Sequence, residues 1–90
     1  MSEVIECKII NKLGMHARPA AQFVKMASKF QCEIWVEKDD EPVNGKSIMG
    51  LMMLAAGKGE ILKLIADGAD AKKALDDLSE LISSGFGDTE

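Results

Sequence analysis

Apolar and polar residues alternate with period two from Val4 to Ile10. Ile5, Cys7 and Ile9 fall on one side and Glu6 and Lys8 on the other, the pattern of a half-buried strand. Asn11–Met15 contains Gly14 and reads as a loop. From His16 to Phe30 the period becomes helical: Ala20, Phe23, Val24, Ala27 and Phe30 form one stripe, with Gln22, Lys25 and Lys29 off it. Pro19 fixes where this helix starts. Proline has no N–H, and only the first turn of a helix has N–H groups without an internal partner, so Pro19 belongs in that turn. His16 is therefore expected at or beside the N-cap.

Alternation returns over Gln31–Lys38, with Cys32, Ile34 and Val36 on one face and Glu33, Trp35 and Glu37 on the other. Trp35 is expected on the open face of a sheet, half covered by its neighbours. Asp39–Glu41 is a polar turn, Pro42–Asn44 leaves room for a short strand, and Pro42 suits a sheet edge. Ser47 is a favoured N-cap and opens a short helix to about Leu54. After Gly57–Gly59, Glu60–Asp67 reads as a strand with Ile and Leu on both faces. Asp70 is expected to cap a last helix with the stripe Ala71, Ala74, Leu75, Leu78 and Ile82. Gly85 is expected to end it, leaving residues 85–90 as a polar tail.

The order is βαββαβα, without repeat or linker, in a single domain over residues 1–90. Helices do not alternate strictly with strands. This favours an α+β fold, an open-faced sandwich with a four-stranded antiparallel sheet and three helices on one face, over a parallel doubly wound sheet.

Composition narrows the function classes. Ninety residues support one modest core and no deep substrate cavity. No apolar run approaches the length of a membrane span, so no membrane insertion is expected. Met1–Glu3 lacks the basic and apolar regions of a secretory signal, and a cytoplasmic protein is expected. Cys7 and Cys32 both fall at apolar strand positions and are expected to be buried free thiols. With one histidine they supply no structural metal set, and no cofactor is called for. The net charge of −4 argues against nucleic acid as a partner. It is unevenly spread: residues 1–30 hold five basic residues against Glu3 and Glu6, while residues 31–90 hold six basic residues against thirteen acidic ones. The positive part surrounds His16, which suits an anionic group or a partner with an acidic face.

The segment Gly14–Ala20 carries the clearest chemistry. A neutral imidazole nitrogen is a nucleophile, and the N–P bond it forms is readily given up again. At a helix N-terminus, free N–H groups and the positive end of the macrodipole disfavour imidazolium and favour a phosphate dianion. Arg18, in the same turn, has a planar fork suited to phosphoryl oxygens, and Lys12 adds positive field from the loop. Gly45-Lys46-Ser47 is not a P-loop, because the glycine that motif needs five residues earlier is Asp40. The helix after Ser47 is apolar almost all round. Ile48, Leu51 and Met52 can serve a core, but Met49 and Met53 cannot all hide with them, so an exposed Ile/Met docking face is expected. Gly50 within it costs roughly 1 kcal/mol against alanine, which close packing would have to justify.

Gly14–Ala20 resembles the active-site motif of the HPr phosphocarriers of the bacterial phosphoenolpyruvate:sugar phosphotransferase system, and Gly45–Leu54 resembles that family's second motif, around a regulatory serine. Both stand in register, over nearly the whole chain. The resemblance implies that His16 carries a phosphoryl group on Nδ1, taken from phosphorylated enzyme I and passed to EIIA domains, with Arg18 supporting it. It implies a docking surface of Ala21, Lys25, Ile48, Met49 and Met52. Ser47 matches the serine that an HPr kinase/phosphorylase phosphorylates in some relatives, with a transcription regulator as a further partner, while other relatives keep the serine without that use. Such a chain is a stoichiometric carrier rather than an enzyme, and is expected to be a monomer. Ala17 stands where many relatives have threonine. The Lys46–Leu54 stretch looks more like the sugar branch than the nitrogen-regulatory branch. The competing reading is a regulatory HPr-like protein that acts only by binding partners; His16 counts against it, since such relatives can lack the histidine.

Overall fold

The computed structural model describes residues 2–87. Its strands are β1 (Ser2–Lys8), β2 (Glu33–Lys38), β3 (Glu41–Asn44) and β4 (Ile61–Asp67), and its helices are α1 (Ala17–Ala27), α2 (Ile48–Met53) and α3 (Ala71–Ser83). The strands form one antiparallel sheet in the order β1-β4-β2-β3, so the last strand in sequence lies between the first and second. The α+β open-faced sandwich expected from the residue pattern is the fold observed.

Alternation sets the two faces of the sheet. Ile34 and Val36 of β2, and Leu62, Leu64 and Ala66 of β4, are buried under the helices with Phe23 and Ala27 of α1 and Leu75, Leu78 and Ile82 of α3. Facing away, Val4, Ile65 and Trp35 lie in one row across three strands, with Trp35 39% exposed, as its place on the open face required. The β2–β3 connection is a two-residue turn, since Lys38 pairs with Glu41. Asp39 and Asp40 both take positive φ, the geometry that matches the twist of a tight hairpin, and aspartate tolerates it better than most residues.

Three expectations are corrected. Asp70 stands at the N-cap position of α3 but makes no side-chain cap bond. Its carboxylate instead accepts from the backbone N–H groups of Gln31 and Cys32, at 2.8 and 2.9 Å, and so ties the α1–β2 connection to the start of α3. These bonds, Gln31's first, hold the Asp70 carboxyl below its ordinary pKa. Second, the chain after Ser84 does not turn wholly polar at Gly85. Gly85–Gly87 forms a 3-10 turn and Phe86 is buried in the core. Gly85, Phe86 and Gly87 all have positive φ, which lets the chain fold back against α3 and bury Phe86. Residues 88–90 of the expected tail lie outside the described residues. Third, Cys32 is buried, but Cys7 is only partly so; both are free thiols. Burial raises the pKa of both.

Candidate functional site

Helix α1 begins where Pro19 requires. His16 is its N-cap, with extended backbone angles, and the first intrahelical bond runs from Ala20 N to the His16 carbonyl at 2.9 Å. Pro19 is buried and has no N–H to leave unpaired. The N–H groups of Ala17 and Arg18 precede that first bond and have no carbonyl to meet within the helix. The His16 side chain does not cap them. It is half-exposed, and Ala17 and Arg18 are exposed. The helix therefore presents backbone donors, an imidazole and a guanidinium at one solvent-facing end.

The loop before His16 is held from both sides. Gly14 has φ +69°, and a Cβ there would lie 2.3 Å from the Ala56 carbonyl oxygen, so only glycine fits. The Gly14 carbonyl accepts from the buried Asn11 side-chain amide at 2.8 Å and from His16 N at 3.0 Å, while Met15 N donates to the Ala56 carbonyl at 2.8 Å. Asn11 and Ala56 thus belong to the site's support, although nothing in the residue pattern singled out either. An asparagine three residues before a loop glycine was the available signal for Asn11, since its short amide readily bonds nearby backbone.

Ser47 caps α2, and its hydroxyl accepts from Gly50 N at 3.0 Å. Lys46 turns away from any phosphate-binding role: its ammonium donates to the Phe30 carbonyl at 2.8 Å, beyond the C-terminal end of α1. Of the α2 residues only Leu51 is buried; Ile48 and Met52 are 42% and 45% exposed, and Met49 and Met53 about three-quarters exposed. The division between core and surface lies further toward the surface than the residue pattern alone decided. Helix α2 packs beside α1, whose Ala21 and Lys25 are exposed. Leu13, next to Gly14, is another exposed large apolar residue, and it falls in a loop where no periodicity marks it. A Cβ at Gly50 would meet its neighbours no closer than 3.4 Å, so packing does not demand glycine there. Among the described residues no group of three His, Cys, Asp or Glu is placed to hold a metal ion, and no helix is long and apolar enough to cross a membrane.

Comparison with known proteins decides the family. Residues 4–84 match the family described as PTS HPr component, phosphorylation site. The chain belongs to the HPr phosphocarrier family. It is 55% identical over 83 residues to the phosphocarrier protein HPr of Neisseria meningitidis serogroup A, covering 92% of this chain and 93% of that one. It is 49% identical over 78 residues to the HPr-like protein Crh of Halalkalibacterium halodurans, covering 87% and 90%. The crystal structure of HPr from Thermoanaerobacter tengcongensis superposes with a TM-score of 0.93 at 50% identity, covering 98% of this chain and 99% of that one.

Proposed function

We propose that the chain accepts a phosphoryl group on Nδ1 of His16 from phosphorylated enzyme I and passes it to EIIA domains. The observation that carries this reading is the open start of α1, where a half-exposed imidazole stands at a helix terminus whose N–H groups it does not occupy. In the accepting step the Nδ1 lone pair attacks phosphorus. The N–P bond forms as the bond from phosphorus to the donor breaks, and that electron pair leaves with the donor. The Ala17 and Arg18 N–H groups and the helix dipole then face a dianion, and the Arg18 guanidinium adds two-pronged donors from the same turn. The reverse chemistry, with an EIIA nucleophile, regenerates His16. The chain is a carrier: the phosphoryl group arrives and leaves with partner proteins.

Ala21 and Lys25 on α1, with Ile48, Met49 and Met52 on α2, are the proposed docking surface. Flexible methionines suit a surface that must meet more than one partner. Ser47 is the proposed regulatory site for an HPr kinase/phosphorylase. Its half-exposed hydroxyl adjoins that surface at a helix start, where an added phosphate is locally tolerated.

Incubation with enzyme I and phosphoenolpyruvate, followed by intact-mass measurement, tests the reading. The expected result is one acid-labile phosphoryl group on the wild type and none on a folded His16→Ala variant. Uptake by folded His16→Ala would refute it.

A further inference from the structure

Lys38, at the end of β2, and Glu60, just before β4, form an ion pair with Nζ and Oε1 3.2 Å apart, and the Lys38 side chain is only 18% exposed. Neither group stops at the other. Lys38 Nζ also donates to the Leu54 carbonyl at 3.0 Å, at the C-terminal end of α2. The second Glu60 oxygen accepts a short bond from Gly57 N, and Glu60 N donates back to the Gly57 carbonyl at 3.1 Å. The pair therefore grips both ends of the 54–60 connection. These contacts, the Gly57 N–H foremost, hold the Glu60 carboxyl below its ordinary pKa.

The gripped segment is the one on which the histidine loop rests. Ala56, buried between the clamped residues Leu54 and Gly57, accepts from Met15 N, and its carbonyl and the Gly57 Cα occupy the space a Gly14 side chain would need. Ala55 adopts φ +52°, a conformation that residues with a Cβ disfavour, so the segment is held in a shape it would not choose in isolation. A continuous chain of contacts runs from Lys38 through Glu60 and Gly57 to Ala56, then to Met15 and His16.

We infer that Lys38 and Glu60 are positioning residues for His16: by clamping residues 54–60 they fix the seat of Gly14 and Met15, and through it the place of the imidazole at the start of α1. The inference rests on the phosphocarrier reading above. Neither residue touches the phosphoryl group. Misplacement of a reacting atom by a fraction of an ångström is costly in an in-line transfer, so the effect belongs in the transfer step rather than in docking.

The test uses the full chain and three variants, Glu60→Ala, Glu60→Gln and Lys38→Met, each checked for folding by near-UV circular dichroism. Two readouts are taken. Amide hydrogen exchange at Met15, measured by NMR on the free protein, needs no partner. The Glu60→Ala variant should exchange Met15 about tenfold faster than wild type, as expected for local opening of that bond. Stopped reactions with phosphorylated enzyme I give kcat and KM for the carrier. In Glu60→Ala, kcat should fall by about tenfold with KM nearly unchanged. Glu60→Gln keeps an oxygen acceptor for Gly57 N and should recover most of the rate, while Lys38→Met should fall between them. Unchanged Met15 exchange and unchanged kcat in folded Glu60→Ala would overturn the inference, as would a rise in KM alone. If Glu60→Ala does not fold, Lys38→Met carries the same two readouts: faster Met15 exchange with a lower kcat is expected, and wild-type values of both would overturn the inference. Wild-type protein that takes up no phosphoryl group would refute the phosphocarrier reading instead, and the Met15 exchange would still decide whether the clamp holds the loop.

Discussion

Helices α1 and α2 start in the same way in outline and differ in what occupies the end. Each has an N-cap residue in extended conformation and a first turn that contributes free N–H groups. At α2 the cap closes on itself, because the Ser47 hydroxyl accepts from Gly50 N. At α1 the cap residue is histidine, its ring makes no such bond, and Pro19 takes one N–H out of the turn altogether. One terminus has a donor met by its own cap side chain; the other has none met in that way, and under the proposed function its donors would meet the phosphoryl group. The difference separates a structural cap from a site. A helix end becomes a place for an anion when its cap residue has other chemistry to do and the neighbouring loop fixes that residue instead.

This contrast can be broken at either end. The largest effect after loss of His16 itself is expected for Arg18→Ala, which removes the charged fork at the open terminus. Transfer from phosphorylated enzyme I, followed by rapid quench, should slow by about 10-fold to 100-fold. Affinity for the partner should change little. Unchanged transfer rates would remove Arg18 from the site. At the closed terminus, Ser47→Asp introduces a negative charge beside the exposed Ile48 and Met49. The helix start tolerates it, so thermal stability should hold, while docking on an acidic partner weakens and the rate of His16 phosphorylation falls by about threefold to tenfold at low salt. Equal rates would detach Ser47 from the docking surface, and a melted protein would mean that the cap cannot accept the substitution. The smallest effect is expected for Ser47→Ala, which removes only the cap bond. It should lower stability by about 0.5–2 kcal/mol in urea titration and leave phosphoryl acceptance as in wild type. Loss of acceptance without loss of stability would show that the Ser47 hydroxyl serves the transfer directly.

Much of this was legible from local pattern. Period-two alternation located the sheet's inner face at Ile34 and Val36, and the limits on proline placed His16 at the start of α1 within a single turn. Both signals concern residues a few positions apart, where backbone geometry couples them directly. What stayed hidden depends on distant partners. Asp70 read as a cap because aspartate favours that position, but its carboxylate meets the N–H groups of Gln31 and Cys32, nearly forty residues earlier. Phe86 is one aromatic between glycines, with no periodicity to mark it as core, and only positive φ at three successive residues turns it inward. Lys38 and Glu60 read as ordinary strand-end charges, since nothing in their own surroundings announces the loop they clamp. The exposed part of α2 was legible in kind but not in extent, because a six-residue helix is too short for its stripe to show that, of Ile48, Leu51 and Met52, only Leu51 is buried.

In the proposed function, the N–H groups at the start of α1 hold the phosphoryl group on His16. Heteronuclear NMR of the isotopically labelled protein, before and after treatment with enzyme I and phosphoenolpyruvate, tests it most directly. The expected result is a phosphorus-bound Nδ1 on His16 together with large amide shifts at Ala17 and Arg18, and little change at Ile48 and Met49. Phosphate found on Ser47, or on His16 with the Ala17 and Arg18 amides unmoved, would contradict it.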